Sequence, residues 1–102
     1  MKAYLVRITK SAERDLNRAA DYIEFSLKNP SAADSLIDEA EKAISSLSHM
    51  PERCPRPRDL ALAAKGYRCL LVEKYLVFYV VAGDTVQIRR IIYGRRDYSS
   101  LL

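Results

Sequence analysis

Side chains that could bind phosphate or move protons concentrate in the C-terminal half of the chain. Residues 52–102 carry ten Lys or Arg against five Asp or Glu, whereas residues 1–51 carry seven against eight. Cationic side chains bind phosphates, and tyrosine hydroxyls can take part in proton transfer. Such a surface suits a polyanion or an acidic protein segment, and it can equally be only a solvated face. The candidate groups are Lys65, Arg68, Tyr79, Arg89, Tyr93, Arg95, Arg96 and Tyr98.

Metal and disulfide chemistry are poorly supported by the remaining residues. Cys54 and Cys69 lie fifteen positions apart without a CxxC motif, and His49 is the only histidine in the sequence. This pattern matches neither a zinc site nor a disulfide framework, so we expect no metal and no other cofactor. No apolar run approaches the roughly 20 residues of a membrane span. We therefore expect one cytoplasmic domain over residues 1–102, with no membrane partner.

Hydrophobic periodicity predicts the element order β-α-α-β-β-β. An alternating pattern predicts a strand over residues 2–8, and helical spacing predicts one helix from Ser11 to about Lys28. Asn29-Pro30 interrupts that helix, and Ser31 is the expected N-cap of a second helix that ends near Leu47.

The second half of the chain predicts a connector and a β-meander. Residues 50–58 contain three prolines and three arginines and should form a solvated basic connector, followed by a short helical turn over residues 60–64. Strands are expected over residues 67–72, 75–81 and 85–93. The predicted fold is α+β, with an antiparallel helical hairpin on one face of a mostly antiparallel four-stranded sheet and the other face open.

Arg90 occupies an unusual position in the last predicted strand. Regular alternation puts Arg90 on the same face as the apolar residues Val86, Ile88 and Ile92, and puts Ile91 on the opposite face with Gln87, Arg89 and Tyr93. An arginine among buried aliphatic side chains must be paired, must snorkel at the strand end or must line a functional concavity. Snorkelling is the outcome we expect.

Several sequence strings, taken in their order, resemble the RelE/ParE toxin superfamily. They are Ala12–Leu16, Leu47–Pro51, Gly66–Arg68, Tyr75–Tyr79 and Ile88–Tyr98, which together cover nearly the whole chain. The resemblance implies a small bacterial toxin that a cognate antitoxin wraps and neutralises with its C-terminal segment. It also implies that the pair binds operator DNA through the antitoxin.

One branch of this superfamily, the RelE branch, cleaves mRNA on the ribosome without a metal. The 2′-hydroxyl attacks the adjacent phosphate across a basic, tyrosine-bearing open sheet face, so the reaction needs proton transfer and stabilisation of charge on phosphorus. On this branch the resemblance implies proton transfer by Tyr93 or Lys65. The implied phosphate-stabilising residues are Arg68, Arg89, Arg95 and Arg96.

The other branch, the ParE branch, is implicated in poisoning DNA gyrase and has no catalytic chemistry of its own. The nuclease branch typically places an arginine where this sequence has Leu76, and the tail Ile91–Tyr98 is more similar to the ParE branch. The resemblance therefore favours gyrase as the target, with the ribosome and its mRNA as the alternative. An inactive homologue that acts only as a co-repressor is a third interpretation. On the ParE branch the expected target contacts are Arg90, Arg95, Arg96 and Tyr98.

The antitoxin is expected to cover an apolar groove beside the helical hairpin. The acidic residues of the second helix suggest basic residues in the antitoxin segment that meets it. The expected contacts are Leu16, Ile23, Asp34, Asp38 and Glu39.

The double substitution Arg95→Ala with Arg96→Ala should lower toxicity without unfolding the protein, because a basic pair in the tail contributes little to core packing. Growth after induction and the melting temperature of the variant are the two measurements. Full toxicity together with an unchanged melting temperature would refute these two contacts.

Overall fold

The computed structural model describes residues 2–94 and Leu102. Its strands and helices are, in chain order, β1 Leu5–Ile8, α1 Lys10–Asp21, α2 Pro30–Ser46, α3 Leu60–Ala64, β2 Arg68–Val72, β3 Tyr75–Ala82 and β4 Thr85–Tyr93. A π-helical turn over Tyr22–Ser26 follows α1, and a 3-10 turn over Pro51–Arg53 follows α2.

The four strands form one mixed sheet in the order β1-β4-β3-β2. Strand β1 pairs with β4 in parallel, and the other two pairs are antiparallel. The tight turn between β3 and β4 uses Gly83 at φ +60°, a conformation that other residues rarely adopt. The predicted α+β fold with a mostly antiparallel sheet is confirmed.

Helix α1 is shorter than the periodicity predicts. Its N-cap Thr9 accepts a hydrogen bond from the Ala12 amide at 3.2 Å, and its buried stripe faces the sheet. After Asp21 the backbone widens, so that the Leu27 amide donates to the Tyr22 carbonyl, five residues back, at 3.1 Å. A π turn holds an extra residue in the helical repeat. A periodicity fitted to a single α-helix does not detect that insertion.

The N-cap of helix α2 lies two residues before the predicted one. The Asn29 side chain, not that of Ser31, accepts a hydrogen bond from the Ala32 amide at 3.1 Å. Pro30 occupies the first turn, where its missing N–H costs nothing because that position has no intrahelical acceptor. The break predicted at Asn29-Pro30 is therefore the start of the helix.

The main hydrophobic core lies between the helical hairpin and one face of the sheet. Strand β3 contributes Val77 and Tyr79, both with no exposed surface. The other buried members of this cluster are Ala12, Leu16, Leu36, Ala40, Leu47, Cys54, Val72, Val86, Ile88 and Ile91.

Helix α3 covers part of the opposite face of the sheet, so the prediction of an open second face is wrong. Leu62 is 2% exposed and packs with Tyr67, Phe78 and Ile92. The Tyr67 and Phe78 rings meet edge to face with centroids 6.5 Å apart. Leu102 also packs against this cluster. The short helical segment was predicted, but its docking depends on Phe78 and Ile92, which lie 16 and 30 positions after Leu62 and which local periodicity cannot reveal.

A β-bulge in β4 changes which side chains share a face. Tyr79 pairs with Ile88 but Phe78 pairs with Arg90, so Arg89 is the extra residue. Ile91 consequently joins the core on the hairpin side and Ile92 joins the α3 side, the reverse of the predicted assignment. Regular alternation fails here because one inserted residue moves every following side chain of the strand to the opposite face of the sheet.

The basic connector is tied to backbone carbonyls instead of being freely solvated. Arg53 donates to the carbonyl of Ser46, the last residue of α2, at 3.3 Å and to the His49 carbonyl at 2.7 Å. Arg56 donates to the Ala63 carbonyl of α3 at 3.0 Å. The buried Tyr79 hydroxyl donates to the Pro51 carbonyl at 2.5 Å, and burial raises the pKa of this tyrosine. All three connector arginines are exposed. Within residues 2–94, Arg58 is the one among them whose side chain has no described hydrogen bond, as expected for a solvated connector.

The substitution Leu62→Ala should lower the free energy of unfolding by about 2–4 kcal/mol, because it opens a cavity under α3. Its matched control is Leu60→Ala in the same helix, where the side chain is 84% exposed and little should change. Chemical denaturation measures both variants. Equal stability of the two variants would contradict the packing of α3 described above.

Candidate functional site

A groove of about 1200 Å³ lies between the helical hairpin and the C-terminal end of β4. Its floor is apolar and includes Ile23 and Ile91. Three tyrosines, Tyr22, Tyr75 and Tyr93, line it, and we call it the tyrosine groove. Tyr22 leads into the groove from the π turn, and Tyr93 ends β4.

Two of the three tyrosine rings in this groove are in contact with each other. The rings of Tyr75 and Tyr93 meet at 68° with centroids 5.5 Å apart, and Tyr22 is 56% exposed. Burial, followed by the neighbouring Tyr93, raises the pKa of Tyr75, so its hydroxyl stays protonated at neutral pH. The groove therefore offers aromatic contact surface and hydrogen-bond donors.

An ion pair forms one wall of the tyrosine groove. Arg90 donates from Nε to Asp15 Oδ2 at 2.7 Å and from Nη2 to Oδ1 at 3.0 Å. The Ile91 amide donates to the same carboxylate at 3.0 Å. This hydrogen bonding raises the pKa of Arg90. Arg90 is thus paired with Asp15, and the expectation that it snorkels is wrong, because α1 supplies a carboxylate beside the bulge.

Two further cations line the tyrosine groove. Arg18 comes from the last turn of α1, and Lys74 comes from the turn between β2 and β3. Within residues 2–94 neither forms an ion pair. Glu73 lines the groove as well, beside Lys74, so that with the Asp15–Arg90 pair the cations of the groove outnumber its carboxylates by one. Together with the apolar floor and the tyrosines, the cations make a surface suited to a protein segment that carries apolar and acidic side chains.

A second, shallower groove of about 560 Å³ lies between β1 and the two helices of the hairpin, and we call it the hairpin groove. Its glutamates are Glu13 on α1 and Glu41 on α2. Its apolar lining consists of Val6, Ile8, Leu16, Ile37 and Ile44.

Comparison with models of known protein families identifies the family of this chain. The family model described as the ParE toxin of the type II toxin-antitoxin system parDE matches residues 6–98. The chain belongs to the ParE toxin family. The superfamily predicted from the sequence is therefore confirmed, and no curated protein matches the chain significantly.

Two solved structures show the same fold as this ParE-family chain. One is the chromosomal ParDE toxin-antitoxin system of P. aeruginosa, with a TM-score of 0.75 and 22% identity, covering 91% of this chain and 98% of the other. The second is the toxin-antitoxin complex RelBE2 of Mycobacterium tuberculosis, with a TM-score of 0.57 and 27% identity. It covers 89% of this chain and 98% of the other.

Among the described residues, the candidate catalytic residues Arg68 and Tyr93 of this ParE-family toxin lie apart from each other. Arg68 donates to the carbonyls of Glu52 and Cys54 at 3.0 and 2.8 Å, so it ties the connector to β2. On β3, Arg68 pairs with Tyr79, and Tyr93 pairs with Tyr75. These two β3 residues are four positions apart, so Arg68 and Tyr93 are separated by roughly 14 Å along the strand.

The remaining candidates are dispersed or lie outside the described residues. Lys65 is exposed at the end of α3, and Arg89 is exposed at the bulge of β4. The predicted contacts Arg95, Arg96 and Tyr98 lie outside the described residues.

The predicted antitoxin contacts divide between the two grooves. Leu16 lines the hairpin groove with 8% of its surface exposed, and Ile23 lines the tyrosine groove. Asp34, Asp38 and Glu39 are exposed on α2, where Glu39 lies 3.7 Å from Lys42. These contacts remain predictions.

Thiol and metal chemistry find little support among residues 2–94. Both cysteines are free, and burial raises the pKa of Cys69 to about 11, so its thiol stays protonated at neutral pH. The described residues bring together no three His, Cys, Asp or Glu side chains that could hold a metal. Their helices include none that is long and apolar enough to span a bilayer.

Sequence reasoning missed Asp15, Arg18, Tyr22 and Lys74. A signal existed for Asp15, because an arginine placed among buried aliphatic residues requires a carboxylate, and Asp15 lies between the buried positions Ala12 and Leu16. The other three carried no such signal, since exposed helix and turn residues become neighbours only in the folded chain.

The substitution Asp15→Asn should lower the free energy of unfolding by about 1–3 kcal/mol, because it removes a charged acceptor of three hydrogen bonds. Asp21→Asn, at an exposed position of the same helix, is the control. Urea denaturation with a double-mutant cycle through Arg90→Met isolates the pair. A coupling energy near zero would mean that the ion pair contributes nothing.

Proposed function

We propose that this ParE-family toxin arrests growth by binding DNA gyrase, that it catalyses no reaction itself, and that a cognate antitoxin neutralises it. The observation that carries this proposal is the apolar cluster under α3. It occupies the sheet face on which the nuclease branch would be expected to present cations and tyrosines to RNA.

The composition of that face argues against phosphate chemistry. Leu76 is partly buried against the cluster of Leu62, Phe78 and Ile92, at the position where the nuclease branch typically has an arginine. A transition state that gains charge on phosphorus needs preorganised donors there, and an apolar cluster supplies none. Arg68, which pairs with Tyr79 three positions along β3 from Leu76, already donates to two connector carbonyls.

The tyrosine groove supports the alternative of a protein target. Tyrosine and arginine dominate the binding energy of many protein interfaces, because they combine large contact area with hydrogen bonding. Tyr22, Tyr93, Arg18 and Lys74 present this combination around an apolar floor. Arg90, predicted as a target contact, would act as a positioning residue through its pair with Asp15. The predicted contacts Arg95, Arg96 and Tyr98 follow directly in sequence after β4.

The antitoxin is the second partner of the proposal. Both similar structures are described as toxin-antitoxin systems or complexes, and the hairpin groove is an apolar surface bordered by carboxylates. We assign antitoxin binding to this groove and the adjoining helices, with Leu16, Asp34, Asp38 and Glu39 among the contacts. Ile23, which lines the tyrosine groove, is the predicted antitoxin contact outside the hairpin groove. The pair would bind operator DNA through the antitoxin, inside the cytoplasm.

Purified toxin should inhibit DNA supercoiling by gyrase, and Arg18→Glu with Lys74→Glu should weaken that inhibition about tenfold or more, because both cations of the groove are reversed. Lys65→Glu is the matched control, since it reverses an exposed cation on the opposite face. Supercoiling at increasing toxin concentration gives the half-inhibitory values.

Other outcomes of this test identify the rival functions. Cleaved mRNA in a translating extract, lost in Lys65→Ala but not in the groove variant, would establish the nuclease. Normal growth and normal supercoiling with retained operator binding by the pair would establish the co-repressor.

A further inference from the structure

The exposed side of helix α1 carries a row of three cations. Lys10, Arg14 and Arg18 follow one another at intervals of four residues, so they lie one above another on the helix surface, roughly 6 Å apart along its axis. All three residues are exposed, and within residues 2–94 none of them forms an ion pair. The row faces away from the buried stripe of the helix, which packs on the sheet.

Arg89 extends this row beyond the start of the helix. The N-cap residue Thr9 donates from its hydroxyl to the Arg89 carbonyl at 3.1 Å, so the bulge of β4 lies beside the first turn of α1. Arg89 is exposed and likewise forms no ion pair in the described part of the chain. We call the surface formed by Lys10, Arg14, Arg18 and Arg89 the cationic face.

Few carboxylates neutralise the cationic face. The acidic residues of α1 are Glu13, Asp15 and Asp21. Asp15 is held by Arg90, and Glu13 lines the hairpin groove, so within α1 only Asp21 lies on the same side as the row. Like charges four residues apart repel each other and lower the stability of a helix. An anionic partner on this face removes that repulsion.

The other residues of the face indicate which kind of anion it fits. Between the cations lie Ser11 and Asn17, and no apolar or aromatic residue of α1 is exposed. Protein interfaces depend on apolar or aromatic anchors, and single-stranded nucleic acid needs aromatic rings on which its bases stack. The phosphates of a duplex backbone need only positive charge and hydrogen-bond donors. The composition of the face therefore favours a duplex.

We propose that the cationic face of this toxin binds the phosphate backbone of duplex DNA without sequence preference. The choice of DNA over RNA rests on the gyrase target proposed above, because gyrase acts on duplex DNA. Arg18 ends the row and also lines the tyrosine groove, so the bound duplex lies next to the surface assigned to gyrase. The toxin thus contacts both components of a gyrase–DNA complex, and this contact is separate from operator binding through the antitoxin.

The test measures binding of the purified toxin alone to a short DNA duplex of arbitrary sequence at several salt concentrations. Three to four phosphate contacts predict that the logarithm of the wild-type association constant falls with the logarithm of the salt concentration with a slope of about −2.7 to −3.6. This slope needs no variant, so it is independent of any effect of substitutions on folding.

The double variant Lys10→Gln with Arg14→Gln removes two cations of the face and leaves Arg18 and the tyrosine groove intact. Its matched control is Arg58→Gln with Lys65→Gln, which removes two exposed cations elsewhere, so that both variants lower the formal net charge from +4 to +2. The first variant should bind about tenfold more weakly at low salt, with a slope shallower by about 1.8, and should melt no lower than the wild type. The control should bind like the wild type.

Several results would overturn the proposal. They are no binding of the duplex by the wild type at low salt, a wild-type slope near zero, and an equal loss of affinity in the two double variants, which would make net charge alone responsible. Tighter binding of polyglutamate or of single-stranded DNA would assign the face to an acidic protein or an unpaired strand. Tighter binding of an RNA duplex would overturn the choice of DNA. Because gyrase is absent from this assay, its failure is distinguished from failure of the gyrase proposal, which the supercoiling assay tests.

Discussion

Burial of β3 on both faces is the constraint on which the rest of the structure depends. Val77, Phe78 and Tyr79 are consecutive and have no exposed surface, so each face of this strand needs its own cover. The helical hairpin covers Val77 and Tyr79, and α3 with its cluster covers Phe78. The connector must therefore cross the sheet edge from one layer to the other. It is held there by the Tyr79 hydroxyl on Pro51 and by the Arg68 guanidinium on Glu52 and Cys54.

This arrangement separates the two faces in function. On the face under α3, the aromatic and aliphatic side chains pack against one another. The connector arginines donate hydrogen bonds to backbone carbonyls. The hairpin side instead has two grooves. One is lined by tyrosines and by Arg18 and Lys74, which form no ion pair within residues 2–94, and the other is lined by aliphatic residues and glutamates. Two grooves of different charge would allow the proposed target and the antitoxin to be recognised by different contacts.

Much of the fold could be predicted from the sequence, because long stretches of periodicity determine strands and helices. The ranges of β2 to β4, the helical hairpin and the short α3 segment followed from such stretches, whereas β1 is shorter than the predicted strand over residues 2–8. The superfamily followed from the resemblance of sequence strings and not from periodicity. Single-residue insertions could not be predicted, since the π turn after Asp21 and the bulge at Arg89 each leave the local pattern intact. The site was harder, because Arg18, Tyr22 and Lys74 become neighbours only through tertiary packing. The connector arginines were misjudged for the same reason, as their carbonyl acceptors lie at helix ends.

The central claim is that this toxin acts on gyrase and not on translating ribosomes. Pulse-labelling of cells in the first minutes after induction of the toxin alone tests it most directly, with thymidine and methionine incorporation followed side by side. The account predicts that thymidine incorporation falls first while methionine incorporation is sustained. An early collapse of methionine incorporation would contradict it and would mean that another cation performs the role for which Leu76 is unsuited.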